Sequence, residues 1–170
     1  MKYTFTLVVA ILLLSVSMTK AQSGKTPSIN LQNVINNYII VKEALVQSSG
    51  DQTAEAAKTL LNSLDQVQKS DLSTSASIVW NKVVNDLKED AEHISSTKEI
   101  THQRDHFMSL SQNMYAVAKA SSLQSPLYYQ FCPMANKGKG ASWLSVENKI
   151  KNPYYGSKML SCGKVTEVLQ

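Results

Sequence analysis

Apolar residues recur at steps of three and four in four successive stretches of this chain, and that period commits most of it to amphipathic helices. The first stretch runs Leu31, Val34, Ile35, Tyr38, Val41 and Leu45. Ser48-Ser49-Gly50-Asp51 ends it and offers Asp51 as the N-cap of a second, with Ala57, Leu60, Leu61, Leu64 and Val67. After a polar link around Lys69 to Thr74, a third stripe carries Trp80, Val83, Val84, Leu87, Ala91 and Ile94. Ser96-Thr97-Lys98-Glu99 has the spacing of a capping box and opens a fourth helix, with Ile100, Phe107, Leu110, Met114 and Val117. Arg104 interrupts that row. Four such helices joined by short polar links predict an all-α fold, an antiparallel four-helix bundle over residues 29–122.

The style changes between Ser121 and Pro126. Beyond it come Tyr128, Tyr129, Phe131, Pro133, Gly138, Gly140, Trp143, Pro153, Tyr154, Tyr155, Gly156 and Gly163. Glycine, proline and aromatics at this density argue against a fifth long helix. The expectation is an irregular, aromatic-rich C-terminal tail over residues 126–170, made of turns with short strands or helical turns and packed back on the bundle. Residues 29–170 then form a single domain.

The N-terminus reads as a secretory signal peptide over residues 1–21. Lys2 supplies the positive end, Phe5 to Val16 the apolar run, and Thr19-Lys20-Ala21 the cleavage site. The run is short of the roughly 20 residues a membrane span needs. The expectation is an exported, soluble protein with no membrane span after cleavage and a flexible lead-in at 22–28. Losing Lys2 and Lys20 lowers the formal charge from +4 to +2. Residues 22–125 carry 9 basic against 11 acidic side chains, whereas residues 126–170 carry 6 lysines against Glu147 and Glu167. With Arg104 the only arginine, no nucleic-acid footprint is present.

The tail also holds the chain's two cysteines, each with a methionine close by: Cys132-Pro133-Met134 and Met159-Leu160-Ser161-Cys162. Two thiolates and two thioethers form a soft donor set, which selects Cu(I) over harder divalent ions. Lys137, Lys139, Lys158 and Lys164 would offset the negative charge of a bis-thiolate Cu(I) centre and favour the thiolate form. Zinc suits the set less, because no close Cys-Cys or Cys-His spacing is present. The competing reading is a Cys132–Cys162 disulfide, the default in an oxidising compartment. Closing a loop of about 30 residues would stabilise the fold by roughly 3–4 kcal/mol. On that reading Met134 and Met159 are core filler. The two readings can coexist, with Cu(I) bound when the pair is reduced and a disulfide formed when it is oxidised.

The string Tyr128-Tyr-Gln-Phe-Cys-Pro-Met-Ala135, Trp143-Leu-Ser145, Asn152-Pro-Tyr-Tyr-Gly156 and Met159-Leu-Ser-Cys-Gly163 closely resembles a bacterial domain-of-unknown-function family. Gln103-Arg104-Asp105-His106-Phe107 resembles it too. Its members are exported helical domains, standing alone or fused to periplasmic adaptor subunits of heavy-metal efflux pumps. Phe131-Cys-Pro-Met134 is also similar to the Tyr-x-Cys-Pro-Met-His metal-binding motif of copper efflux proteins, with Ala135 in place of the histidine. The resemblance implies a periplasmic copper-binding carrier, buffer or donor, with the copper ion and an efflux-pump adaptor as partners.

Other side chains fill out the expectations. His102 and His106 sit four apart on one helix face, a spacing that can hold Cu(II) or Zn, and His106 is a secondary ligand candidate for the sulfur site. His93 reads as a solvated residue. Arg104 reads as a clamp between tail and bundle. Trp143, Tyr154 and Tyr155 either wall a copper site or anchor the tail, and Asn152-Pro153 and Gly156 read as turn chemistry that aims Met159 and Cys162 towards Cys132. Gly138-Lys139-Gly140 lacks the Walker pattern and is a flexible turn. No serine elbow, Cys-x-x-Cys pair or paired-carboxylate site stands out, so the chain is not read as an enzyme. The alternative function is a disulfide-stapled helical module that presents Trp143 and Tyr154 to a protein partner without metal.

Overall fold

The computed structural model describes residues 29–170, so the expected signal peptide and lead-in fall outside the described residues. Four helices form at the expected stripes: α1 (Ile29–Val46), α2 (Gly50–Gln66), α3 (Thr74–Ser95) and α4 (Ile100–Lys119). Val34, Ile35, Tyr38, Val41 and Leu45 of α1 are buried, as are Leu60 and Leu64 of α2, Leu87, Ala91 and Ile94 of α3, and Phe107, Leu110, Met114 and Val117 of α4. Links of three, seven and four residues join neighbours that pack together, which makes successive helices antiparallel.

Two expected caps differ. The hydroxyl of Ser49, not Asp51, accepts from the Gln52 N–H and starts α2. The Ser96–Glu99 capping box does not form: Glu99 is the N-cap of α4 without a side-chain bond, and Ser96 ends α3 with its hydroxyl donated to the His93 carbonyl. A serine already spent on the preceding helix cannot cap the next one. The corner is held instead by Gln103, whose buried amide donates to the carbonyls of Gly50, Ile94 and Thr97.

The tail corrects the all-α reading. Residues Leu127–Cys132 (β1), Ala141–Ser145 (β2) and Lys164–Leu169 (β3) form an antiparallel sheet in the order β2-β1-β3. Aromatic and branched residues in these segments suit a pleated, half-buried surface. Register runs Tyr129↔Leu144 and Gln130↔Trp143 across one edge, and Tyr129↔Glu167 and Phe131↔Lys164 across the other, with a shift between Tyr129 and Gln130. The sheet packs on α4 through β2, where α1 and α4 touch each other little.

A chain of aromatics fills that seam. Tyr38 stacks on Phe107 with centroids 5.3 Å apart, Phe107 meets Tyr154 at 5.9 Å, and Tyr154 meets the edge of Trp143 at 5.9 Å. Trp143 is fully buried. Large aromatic surfaces withdrawn from water dominate the energetics of such a seam. The Tyr38 hydroxyl accepts the Leu144 N–H at 3.1 Å and bonds the Ser111 hydroxyl at 2.8 Å, joining α1, α4 and β2 at one atom. Burial pushes this phenol well above its ordinary value, so it stays neutral. Tyr38→Phe leaves the Leu144 N–H without its partner in a buried seam. The expected cost is about 1–3 kcal/mol, read from urea unfolding. A midpoint equal to the wild type would contradict this account of the seam.

Candidate functional site

The two cysteines meet. Cys132 ends β1 and Cys162 lies just ahead of β3, so the Phe131↔Lys164 register brings them side by side. They form a disulfide with Cα atoms 5.7 Å apart. Cys132 is fully buried and Cys162 half-buried.

Asn152 shapes the segment that returns Cys162. Its buried side-chain oxygen accepts from the N–H groups of Tyr154 and Tyr155, and its amide donates to the Cys162 carbonyl at 2.9 Å. The turn chemistry expected at Asn152-Pro153 is therefore present. Gly156 follows with φ +55, where an added Cβ would lie 2.4 Å from the Ser48 hydroxyl and 2.9 Å from the Val46 carbonyl. Only glycine fits so close to the end of α1.

Arg104 is the clamp that its place in the sequence suggests. Its Nε donates to the Pro153 carbonyl at 2.8 Å, and its Nη2 donates to the Leu45 carbonyl and the Ser48 hydroxyl. Partial burial lowers the pKa of this guanidinium from its ordinary value. Three oxygens from α4's neighbours and the tail surround it, with no carboxylate among these partners.

The methionines lie at the surface, against the core-filler reading. Met134 is 53% exposed and Met159 37% exposed, and Leu160 beside them is exposed as well. Lys137, Lys139, Lys158 and Lys164 are all exposed around the pair. Ala135, where the efflux motif has histidine, is packed into the core. Tyr155 donates its hydroxyl to the Met134 carbonyl at 2.6 Å and so ties the two turns together. Trp143 and Tyr154 are buried, which corrects the expectation that they are presented to a partner.

Across elements, His106 contacts α3. Its Nδ1 lies 3.0 Å from Oδ1 of Asp90 on α3, and its ring stacks on His93 with centroids 4.4 Å apart. His102, one turn earlier, is 4.7 Å from His106 and 6.1 Å from His93 by ring centroid. One ring nitrogen from each of the three lies within 4.8 Å of the others. The i,i+4 pair was legible in the sequence; His93 and Asp90, which complete the group, were not. At about 100° per residue, His102 and His106 point roughly 160° away from Arg104, so α4 separates this cluster from the disulfide.

The family model described as "Protein of unknown function (DUF3347)" matches residues 34–126, which takes in nearly all of the four helices and stops at the sheet. No curated protein and no solved structure matches the chain.

A disulfide in this position acts mainly on the unfolded chain. The Cys132→Ser, Cys162→Ser variant should lose roughly 3–4 kcal/mol of stability under oxidising conditions and little under reducing ones. Equal losses in both conditions would mean that packing at the two sites, not the covalent link, carries the effect.

Proposed function

Since the chain belongs to the DUF3347 family, whose description assigns no function, we propose one from its own chemistry: an exported copper-handling protein that acts as carrier, buffer or donor to an envelope efflux system. It binds Cu(I) through Cys132, Cys162, Met134 and Met159 when the cysteines are reduced, and it stores no catalytic step.

The observation that carries this reading is the arrangement of the four sulfur residues. Two cysteines 30 residues apart are brought together, while the methionine beside each is left at the surface. A purely structural disulfide has no use for exposed thioethers, and core packing has none either. Soft thiolate and thioether donors together select Cu(I).

The pair opens by exchange with an exported dithiol. The incoming thiolate attacks Sγ of the half-buried Cys162, and Cys132 departs as the thiolate. The second thiol of the donor then completes the exchange: the donor becomes a disulfide, and this chain gains two electrons and two protons. Cu(I) displaces the thiol protons, leaving a centre of net charge −1 among four exposed lysines. Those cations favour the thiolates.

Export is supported by the disulfide itself, since such bonds persist in oxidising compartments, and by the signal-like N-terminus. The periplasmic setting and the link to efflux adaptors rest on the tail's resemblance. The second reading, a stapled interaction module without metal, is favoured by the absence of free cysteines among the described residues. Its contact surface would be Met134, Met159 and Leu160, not the buried Trp143 and Tyr154.

Anaerobic titration of the reduced mature protein with Cu(I), against a chromophoric chelator, separates the two. Copper handling predicts one tightly held equivalent that disappears in the Cys132→Ser, Cys162→Ser variant and weakens in Met134→Leu, Met159→Leu. Cu(I) affinity unchanged by loss of both cysteines would overturn the sulfur site.

A further inference from the structure

We infer that His93, His102 and His106 form a second metal site, for a late first-row divalent ion with Cu(II) as the best fit, that works with the disulfide intact. All three histidines of the chain converge there, His93 from the last turn of α3 and the other two from successive turns of α4. One nitrogen of each lies within 4.8 Å of the other two.

The chemistry of the set defines its ligand. Three imidazoles are borderline donors, which suit Zn, Cu and Ni and leave Mg and Ca poorly served. Among divalent ions the affinity of a nitrogen site peaks at Cu(II). His93 and His102 are exposed and His106 is half-buried, so a fourth position stays open to water or to a partner's ligand. Glu89 lies one turn before His93, and Glu99 three residues before His102. Glu89 shares a face of α3 with His93 by helical spacing.

The supporting shell is built as well. Asp90 is only 7% exposed, and its Oδ1 faces the Nδ1 of His106 at 3.0 Å. With Asp90 accepting from the Nδ1–H of His106, the Nε2 lone pair would be turned to a metal. Carboxylate–imidazole pairs of this kind orient ligands in metal sites. Beneath them, Gln103 joins the Ile94 and Thr97 carbonyls and fixes the corner between α3 and α4. The backbone carrying the three rings is therefore held before any ion arrives.

The rings themselves must move a little. Neighbouring nitrogens bound at about 2.0–2.1 Å to one ion stand about 2.9–3.4 Å apart for tetragonal or tetrahedral geometry, inside the 4.8 Å within which the three now lie. His93 and His106 lie face to face at 8° between planes, so binding turns one ring out of the stack. Rotation about side-chain bonds of exposed residues supplies this, with no backbone change.

This site stands apart from the sulfur pair, and either can fail without the other. The test uses the oxidised mature protein, disulfide intact, titrated with CuSO4 and with ZnSO4 against a competing chelator, with electron paramagnetic resonance on the copper sample. The expected result is one equivalent of Cu(II) with nitrogen hyperfine structure, bound more tightly than Zn(II). His102→Ala, at an exposed position, should weaken binding by at least about 100-fold. Asp90→Asn should weaken it about 10–100-fold, the usual effect of losing an orienting partner. Affinity in His102→Ala equal to wild type, or a copper spectrum without nitrogen coupling, would overturn the site. Identical Cu(II) binding in Cys132→Ser, Cys162→Ser is also required; its loss there would overturn the assignment to the histidines.

Discussion

Phe107 sits between Tyr38 of α1 and Tyr154 of the tail, and the rest of the molecule is organised around that contact. Four helices alone would leave a seam, because α1 and α4 hardly touch each other. The sheet closes it, with Trp143 and Leu144 of β2 buried on the helices and the Tyr38 hydroxyl joining three elements at one point. Arg104, one turn before Phe107, adds a polar tie to the Pro153 carbonyl. The tail is thus part of the core, and the cysteines inherit their positions from it.

The same helix carries the two candidate sites on opposite faces. The inner face of α4 presents Arg104, Phe107 and Ser111 to the tail that carries the disulfide. Its outer face presents His102 and His106 to α3. Soft sulfur donors suit a reduced copper ion and imidazole nitrogens suit an oxidised one, so on our proposal the two sets would divide copper by oxidation state. In that proposal the oxidised protein would offer only the nitrogen set, and reduction of Cys132–Cys162 would add the sulfur set.

How much of this could be read from the chain follows from the periods involved. The helical stripes were legible because 3.6-residue periodicity repeats over many turns, and residues such as Leu60, Leu87 and Phe107 are buried as that pattern requires. The sheet was not. β1 breaks alternation at the shift between Tyr129 and Gln130, and β2 buries Trp143, Leu144 and Ser145 in succession. The connection between them is also no short hairpin: it runs through left-handed backbone at Asn136, Lys137, Gly138 and Gly140. The histidine pair on α4 showed its spacing, but His93 joins it across a corner, and no local pattern announces a contact made by two helices folding together. Arg104 was visible as a polar break in an apolar row, and its role followed from the rarity of a guanidinium there.

The division of copper between nitrogen and sulfur donors is tested most directly by X-ray absorption at the copper edge. The protein would be loaded with one equivalent of copper in each thiol state. The account predicts an imidazole-only shell around Cu(II) in the oxidised protein and a sulfur-dominated shell around Cu(I) in the reduced protein. A sulfur-free shell in both states would contradict it.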